Sequence, residues 1–152
     1  MTLLAVKKYW RNDHLSHLSY TYYKDYCKNH WIAGLTLLEI ETGEENEFVF
    51  NNIVDKFSPR APVWLGAMRQ GEQGSTTWRW LSGRGGNWTA AQSGEQDDSS
   101  SGVYQNWMNG RPWDENGSSE CLSMPDFDNG KWNDYYCSAE FYVICKGPKW
   151  HK

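Results

Sequence analysis

The sequence predicts an α+β fold, and three observations point there. Helical patterning is confined to the first third of the 152-residue chain, short strand-like runs follow it, and the two kinds of segment do not alternate. The length is that of one domain with room for a real hydrophobic core, and no internal repeat or second domain is visible between residues 1 and 152.

Taken in order, Lys7 to Trp10 reads as a first strand. Ser19 to Ile32, rich in Tyr and carrying Cys27, reads as a first helix. Thr36 to Ile40 is a brief extended piece. A second helix opens at Glu41-Thr42-Gly43-Glu44-Glu45, where Thr42 stands three residues before Glu45 at capping-box spacing. Phe48, Val49, Asn52, Ile53 and Phe57 give it a stripe, and Pro59 and Pro62 end it. Val63 to Ala67 and Thr77 to Leu81 then read as strands, as do Glu120 to Met124 and Tyr142 to Lys146. Ser82 to Gly102 is rich in Gly, Ser, Gln and Asp with almost no aliphatic residue, and is expected to be loop throughout.

Composition narrows the function. Aromatic residues make up 16% of the chain, with ten Trp and nine Tyr, which serves both core packing and ligand contact. A formal net charge of -4 argues against nucleic acid or an anionic membrane as partner. No apolar run is long enough to span a bilayer. The opening MTLLAVKK is too short for a signal peptide, so the targeting segment of an exported form is expected outside this sequence. Cys27, Cys121, Cys137 and Cys145 are even in number, widely spaced and without a CxxC pair, which favours disulfides over zinc or redox chemistry and leaves three pairings open. The sequons Asn87-Trp88-Thr89 and Asn116-Gly117-Ser118 fit an extracellular glycoprotein.

An ordered series of short pieces then runs through almost the whole chain. It comprises Cys27, Gly34-Leu35, Glu44-Glu45, Trp64-Leu65-Gly66, Trp78-Arg79-Trp80-Leu81-Ser82-Gly83, Asn106-Trp107, Gly110-Arg111-Pro112, Cys121, Trp132-Asn133-Asp134, Cys137 and Cys145. In this order the pieces resemble the C-type lectin-like family, with the core of the domain at about 9–146. The resemblance implies two helices packed on small antiparallel sheets, a long loop region that binds ligand, and disulfides Cys27–Cys145 and Cys121–Cys137. On a chain-entropy argument the long closure contributes roughly 4–5 kcal/mol and the short one roughly 3 kcal/mol. The resemblance also places Trp64, Trp78, Trp80, Trp107 and Trp132 in the core, and it leaves Trp88, in the polar stretch, as a candidate exposed aromatic.

Sugar-binding members of the family hold calcium in the long loop region through acids and amides, since the ion takes hard oxygen ligands. Here the matching tripeptide is Arg111-Pro112-Trp113, and Ser119 stands where a later Glu is usual. Arg69 replaces an auxiliary-site acid, Glu120 is the auxiliary-site acid that remains, and Asn133 and Asp134 survive from the principal set. An arginine brings a fixed positive charge and no acceptor. The expectation is therefore that no cofactor is required. Calcium would enter only if Asp114, Glu115 or Asn116 rebuilt a site around Asn133, Asp134 and Glu120; taken singly these acids, like Asp97, Asp98, Asp126 and Asp128, read as solvated loop residues.

Trp113 beside Arg111 and Asp114 offers either a stacking platform for a glycan or a protein-binding anchor, and packing of Trp113 into its own loop is the competing reading. The Ser/Gly-rich insertion between Gly83 and Tyr104 falls on the same side and reads as flexible. No HExxH, GxSxG or GxxxxGK[ST] motif is present, so no enzyme activity is expected. The leading expectation is an extracellular module that binds carbohydrate through its loop region without the standard calcium–sugar site. The alternative is a calcium-independent domain for a cell-surface or extracellular protein, and a weaker third is a mineral- or ice-binding surface.

Overall fold

The computed structural model describes residues 3–7, 27, 35–56, 60–91, 102–113 and 117–147. Within them the chain forms β1 (Leu3–Lys7), β2 (Thr36–Leu37), α1 (Gly43–Asn52), a 3-10 turn (Val54–Lys56), β3 (Val63–Arg69), β4 (Thr77–Trp80), β5 (Asn87–Thr89), β6 (Cys121–Met124), β7 (Asn133–Tyr135) and β8 (Tyr142–Lys146).

The strands join into one eight-stranded sheet with the path β1-β8-β3-β4-β5; β2 pairs with β8, and β6 lies between β3 and β7. β3 makes this possible by changing partners along its length. Its start, Val63 and Trp64, runs parallel to Tyr142 and Val143 of β8, while its end, Ala67 to Arg69, runs antiparallel to β4. β6 follows it on both halves across a register shift between Trp64 and Met68. Two expectations are corrected here. The described residues hold one α-helix rather than two; the helix expected over Ser19–Ile32 lies outside them except for Cys27, whose backbone is helical. The small antiparallel sheets are one connected sheet with a parallel pairing, because one buried seven-residue strand serves three neighbours. The first strand lies at Leu3–Lys7, earlier than expected, and pairs with β8 ahead of the 9–146 core.

α1 begins where Thr42, in extended backbone, accepts a bond from the Glu45 N–H at 3.1 Å, and Glu45 reaches back to the Glu41 N–H at 3.3 Å. Its buried face is Glu45, Asn46, Val49 and Phe50, whereas Phe48 from the expected stripe is exposed. Asn46 is inside because its amide is used twice. It donates to the Gly130 carbonyl at 3.0 Å and accepts from the Trp132 indole at 2.8 Å, which makes a buried polar group affordable.

The core has two parts. One surrounds Trp78, Trp80, Trp88, Trp107 and Trp132, whose rings meet at centroid distances of 5.2 to 6.5 Å; the other surrounds Trp64 and both disulfides. Trp88 is therefore not an exposed aromatic. It is the inward residue of β5, a strand inside the stretch expected to be loop, with Asn87 and Thr89 facing solvent. Gly66 is required by packing, since a Cβ there would lie 2.9 Å from the Leu37 carbonyl oxygen. Lys146, at the end of β8, is nearly buried and is held by the Glu39 carbonyl at 2.9 Å, Glu41 at 3.1 Å and Glu45 at 2.6 Å, tying the last strand to the start of α1. Burial pushes the Tyr104 phenol up to about 12, so this ring, edge-on to Trp132, stays neutral through the physiological range.

The disulfides are Cys27–Cys145, spanning 118 residues, and Cys121–Cys137, spanning 16. The second staples β6 to the chain just after β7, and so backs the segment that carries Asn133 and Asp134.

Candidate functional site

The loop from Gly102 to Trp113 has no strand of its own and is fixed by polar bonds. Gln105, fully buried, accepts from the Ala91 N–H at 2.7 Å and the Trp107 indole at 2.9 Å, and donates to the Thr89 carbonyl at 3.0 Å. Asn106 donates to the Gly130 carbonyl at 2.9 Å, where Gly130 has a φ of 83° that disfavours a side chain. Main-chain bonds from Trp132 to Asn106 and from Met108 to Trp132 then lay this loop beside the start of β7. A turn closed by Arg111 on Met108 follows, then a cis Arg111–Pro112 peptide, then Trp113.

Trp113 is where the loop meets β7. Its backbone N–H donates to Asp134 Oδ1 at 2.9 Å, while 58% of the residue's surface remains exposed. The backbone is pinned and the indole is largely presented to solvent. Arg111 is partly exposed and has its guanidinium 3.6 Å from the same Asp134 oxygen.

Asp134 is buried, and its other oxygen accepts from Arg69 Nη2 at 3.0 Å. Arg69 is buried as well, with 4% of its side chain exposed. Its guanidinium also donates to the Ser75 carbonyl and, at 3.2 Å, to the Ser119 carbonyl, and it lies 4.9 Å above the Trp78 ring. One carboxylate is thus shared by two guanidinium groups: Arg69 and the Trp113 N–H each hydrogen-bond one of its oxygens, and Arg111 stands in ion-pair range. A buried carboxylate in this state is neutralised and hydrogen-bonded, which is the condition under which it can be buried at all.

The remaining site candidates separate. Asn133 is half-buried at the start of β7; its carbonyl accepts from the Ser123 hydroxyl at 3.1 Å, and its side-chain oxygen is buried without a hydrogen-bond partner among the described residues. Glu120 is exposed, and it is its carbonyl, not its carboxylate, that binds the Arg69 N–H, at 2.9 Å. Asp114, Glu115 and Asn116 lie outside the described residues, as do Asp97 and Asp98. The structure therefore brings Arg111, Trp113 and Asp134 together, and adds Arg69, which sequence reasoning treated only as a lost ligand. The clue was available: two arginines in place of acids leave Asp134 in need of a partner.

This arrangement does not fit calcium. The carboxylate that would carry the ion's charge faces two fixed cations, and among the described residues no group of three or more His, Cys, Asp or Glu could hold a metal. Nor, among them, is any helix long and apolar enough to cross a membrane.

Comparison with known proteins places the geometry in a family. Residues 16–147 match the family described as Lectin C-type domain. Collectin-10 of Gallus gallus is 39% identical over 49 residues, which is 32% of this chain and only 17% of that protein's length. Among solved structures, the C-type lectin CEL-I from Cucumaria echinata superposes with a TM-score of 0.63 at 17% identity, over 84% of this chain and 81% of its own. A calcium-independent type II antifreeze protein superposes with a TM-score of 0.57 at 20% identity, over 86% of this chain and 80% of its own. At such identities the structures establish a shared fold. Family members are typically recognition domains without catalysis, and the match over residues 16–147 establishes that this chain belongs to the C-type lectin domain family.

Proposed function

We propose that the chain, as one module over residues 1–152, binds an extracellular protein ligand without calcium. The contact surface would be the loop face around Arg111 and Trp113, with Asp134 beneath it and Asp114, Glu115, Asn116 and Asn133 as further candidate contacts. The observation that carries this reading is the exposed Trp113 indole on a backbone tied to an Asp134 whose charge two arginines already neutralise. Trp and Arg are the side chains most often found as anchors of protein contacts, and pre-fixing the backbone lowers the ordering cost of binding. The calcium-independent antifreeze neighbour supports the view that this fold works without the ion.

Carbohydrate binding is the second reading, favoured by the lectin descriptions of the relatives and by the flat indole face that a sugar's C–H surface can stack on. Extracellular placement agrees with both. It also agrees with Asn87 and Thr89 standing side by side on the outer face of β5, where an N-linked glycan would meet no packed atom of the core.

The test is binding of the multimerised domain to cell surfaces of the source organism, with calcium, with chelator, and after glycosidase or protease treatment. Binding is expected to persist in chelator and after glycosidase, to vanish after protease, and to fall by about tenfold or more in Trp113→Ala, a hot-spot-sized loss. Loss on glycosidase treatment would replace the protein reading with the carbohydrate one. Loss in chelator would sink calcium independence.

A further inference from the structure

We infer that Arg69 is a positioning residue: its guanidinium is the chain's own fixed cation, and it holds Asp134 in the orientation that secures the backbone of Trp113. The inference rests on the Trp113 face being the recognition surface, but its test does not.

The oxygen set around this guanidinium is what carries the argument. Ser75 contributes a carbonyl from the β3–β4 turn, Ser119 a carbonyl from the approach to β6, and Asp134 a carboxylate oxygen from β7. Three oxygens from three separate segments converge on one buried positive group, with the Trp78 ring as its floor. These are the oxygen ligands a bound cation would take, and here they accept from a guanidinium carried on the end of β3. The geometry also has a direction. Asp134 Oδ2 is taken by Arg69, which leaves Oδ1 aimed at the Trp113 N–H. Arg111 approaches that same Oδ1 only at 3.6 Å and from a partly exposed position, so it cannot fix the carboxylate alone. Shortening residue 69 would leave Asp134 free to turn toward Arg111 and release the Trp113 amide. A fixed internal cation of this kind keeps the surface assembled whatever the calcium concentration.

Amide hydrogen exchange resolved at Trp113 tests this. In the wild type the Trp113 amide is expected to exchange at the same slow rate in calcium and in chelator. In Arg69→Gln its exchange is expected to rise by about tenfold or more, with the Met108 and Trp132 amides, bonded elsewhere, little changed. Methylguanidinium added to Arg69→Ala is expected to restore part of the protection. Arg69→Lys, which keeps the charge and loses the planar fork, should fall between; it carries the test should Arg69→Gln not fold. Unchanged protection of Trp113 in a folded Arg69 variant would overturn the inference, as would calcium-dependent protection in the wild type. The measurement needs no ligand, so a failure to find a protein or glycan partner would count against the proposed function and leave this result standing.

Discussion

Trp132 and Trp113 are both indoles carried by short segments beside β7, and they are treated in opposite ways. Trp132 is wholly buried, edge-on to Trp80, Trp107 and Tyr104, with its N–H given to Asn46. Trp113 has its backbone fixed to Asp134 and most of its side chain in solvent. In the first case the side chain does the holding. In the second the side chain is held out by a charged scaffold of Arg69, Arg111 and Asp134. The core region is thus stabilised by apolar area, and the loop face around Trp113 by paired charge and hydrogen bonds that contribute geometry more than net stability.

If this division is right, Trp132→Ala should have the largest effect, about 3–5 kcal/mol from lost contacts and the cavity left behind. Urea denaturation would show it as a fall in midpoint with little change in slope. A small loss would mean that the core is not the principal source of stability. Replacing both Cys121 and Cys137 with Ser should cost roughly 3 kcal/mol on the loop-entropy argument. Exchange mapping should place the loosening in β6 and β7, on the side of Asp134, with the Trp78–Trp88 side unaffected; a uniform loss would erase the boundary between the two regions. Thr42→Ala removes the α1 cap and should cost about 1 kcal/mol, read in the same denaturation assay. It sharpens the comparison because α1 supplies Asn46 to Trp132 but nothing to Trp113. Trp113→Ala should change stability by less than about 0.5 kcal/mol, as for other exposed side chains, while abolishing most ligand binding. A clear loss of stability would mean that the indole helps hold its loop.

The sequence was informative where a segment is long or its neighbours agree with it. Tyr142 to Lys146 is an unbroken strand-like run, and β8 has those bounds. Thr42 and Glu45 announce the start of α1 through bonds that are local in sequence. β5 was hidden because three residues amid Gly, Ser and Gln give no period to detect, and Trp88 was misplaced with it. On α1, Phe48 of the expected stripe is exposed, while Asn46, outside that stripe, is buried. Asn46 is drawn inward by Gly130 and Trp132, more than eighty residues away, which no local pattern contains. The candidate site shows the same limit. The exchange of acids for arginines at 69 and 111 was plain, but their common partner Asp134 becomes visible only when β3 and β7 lie on either side of β6.

The crowding of indoles has an optical side. Trp78, Trp80, Trp88, Trp107 and Trp132 are close enough for their transitions to couple and for excitation to pass among them, in surroundings that exclude water. Among the described tryptophans, Trp113 alone faces solvent. The emission that lies furthest to the red, and that an aqueous quencher reaches first, therefore includes light from Trp113, and a ligand seated on the proposed loop face would shift it, a built-in reporter of occupancy.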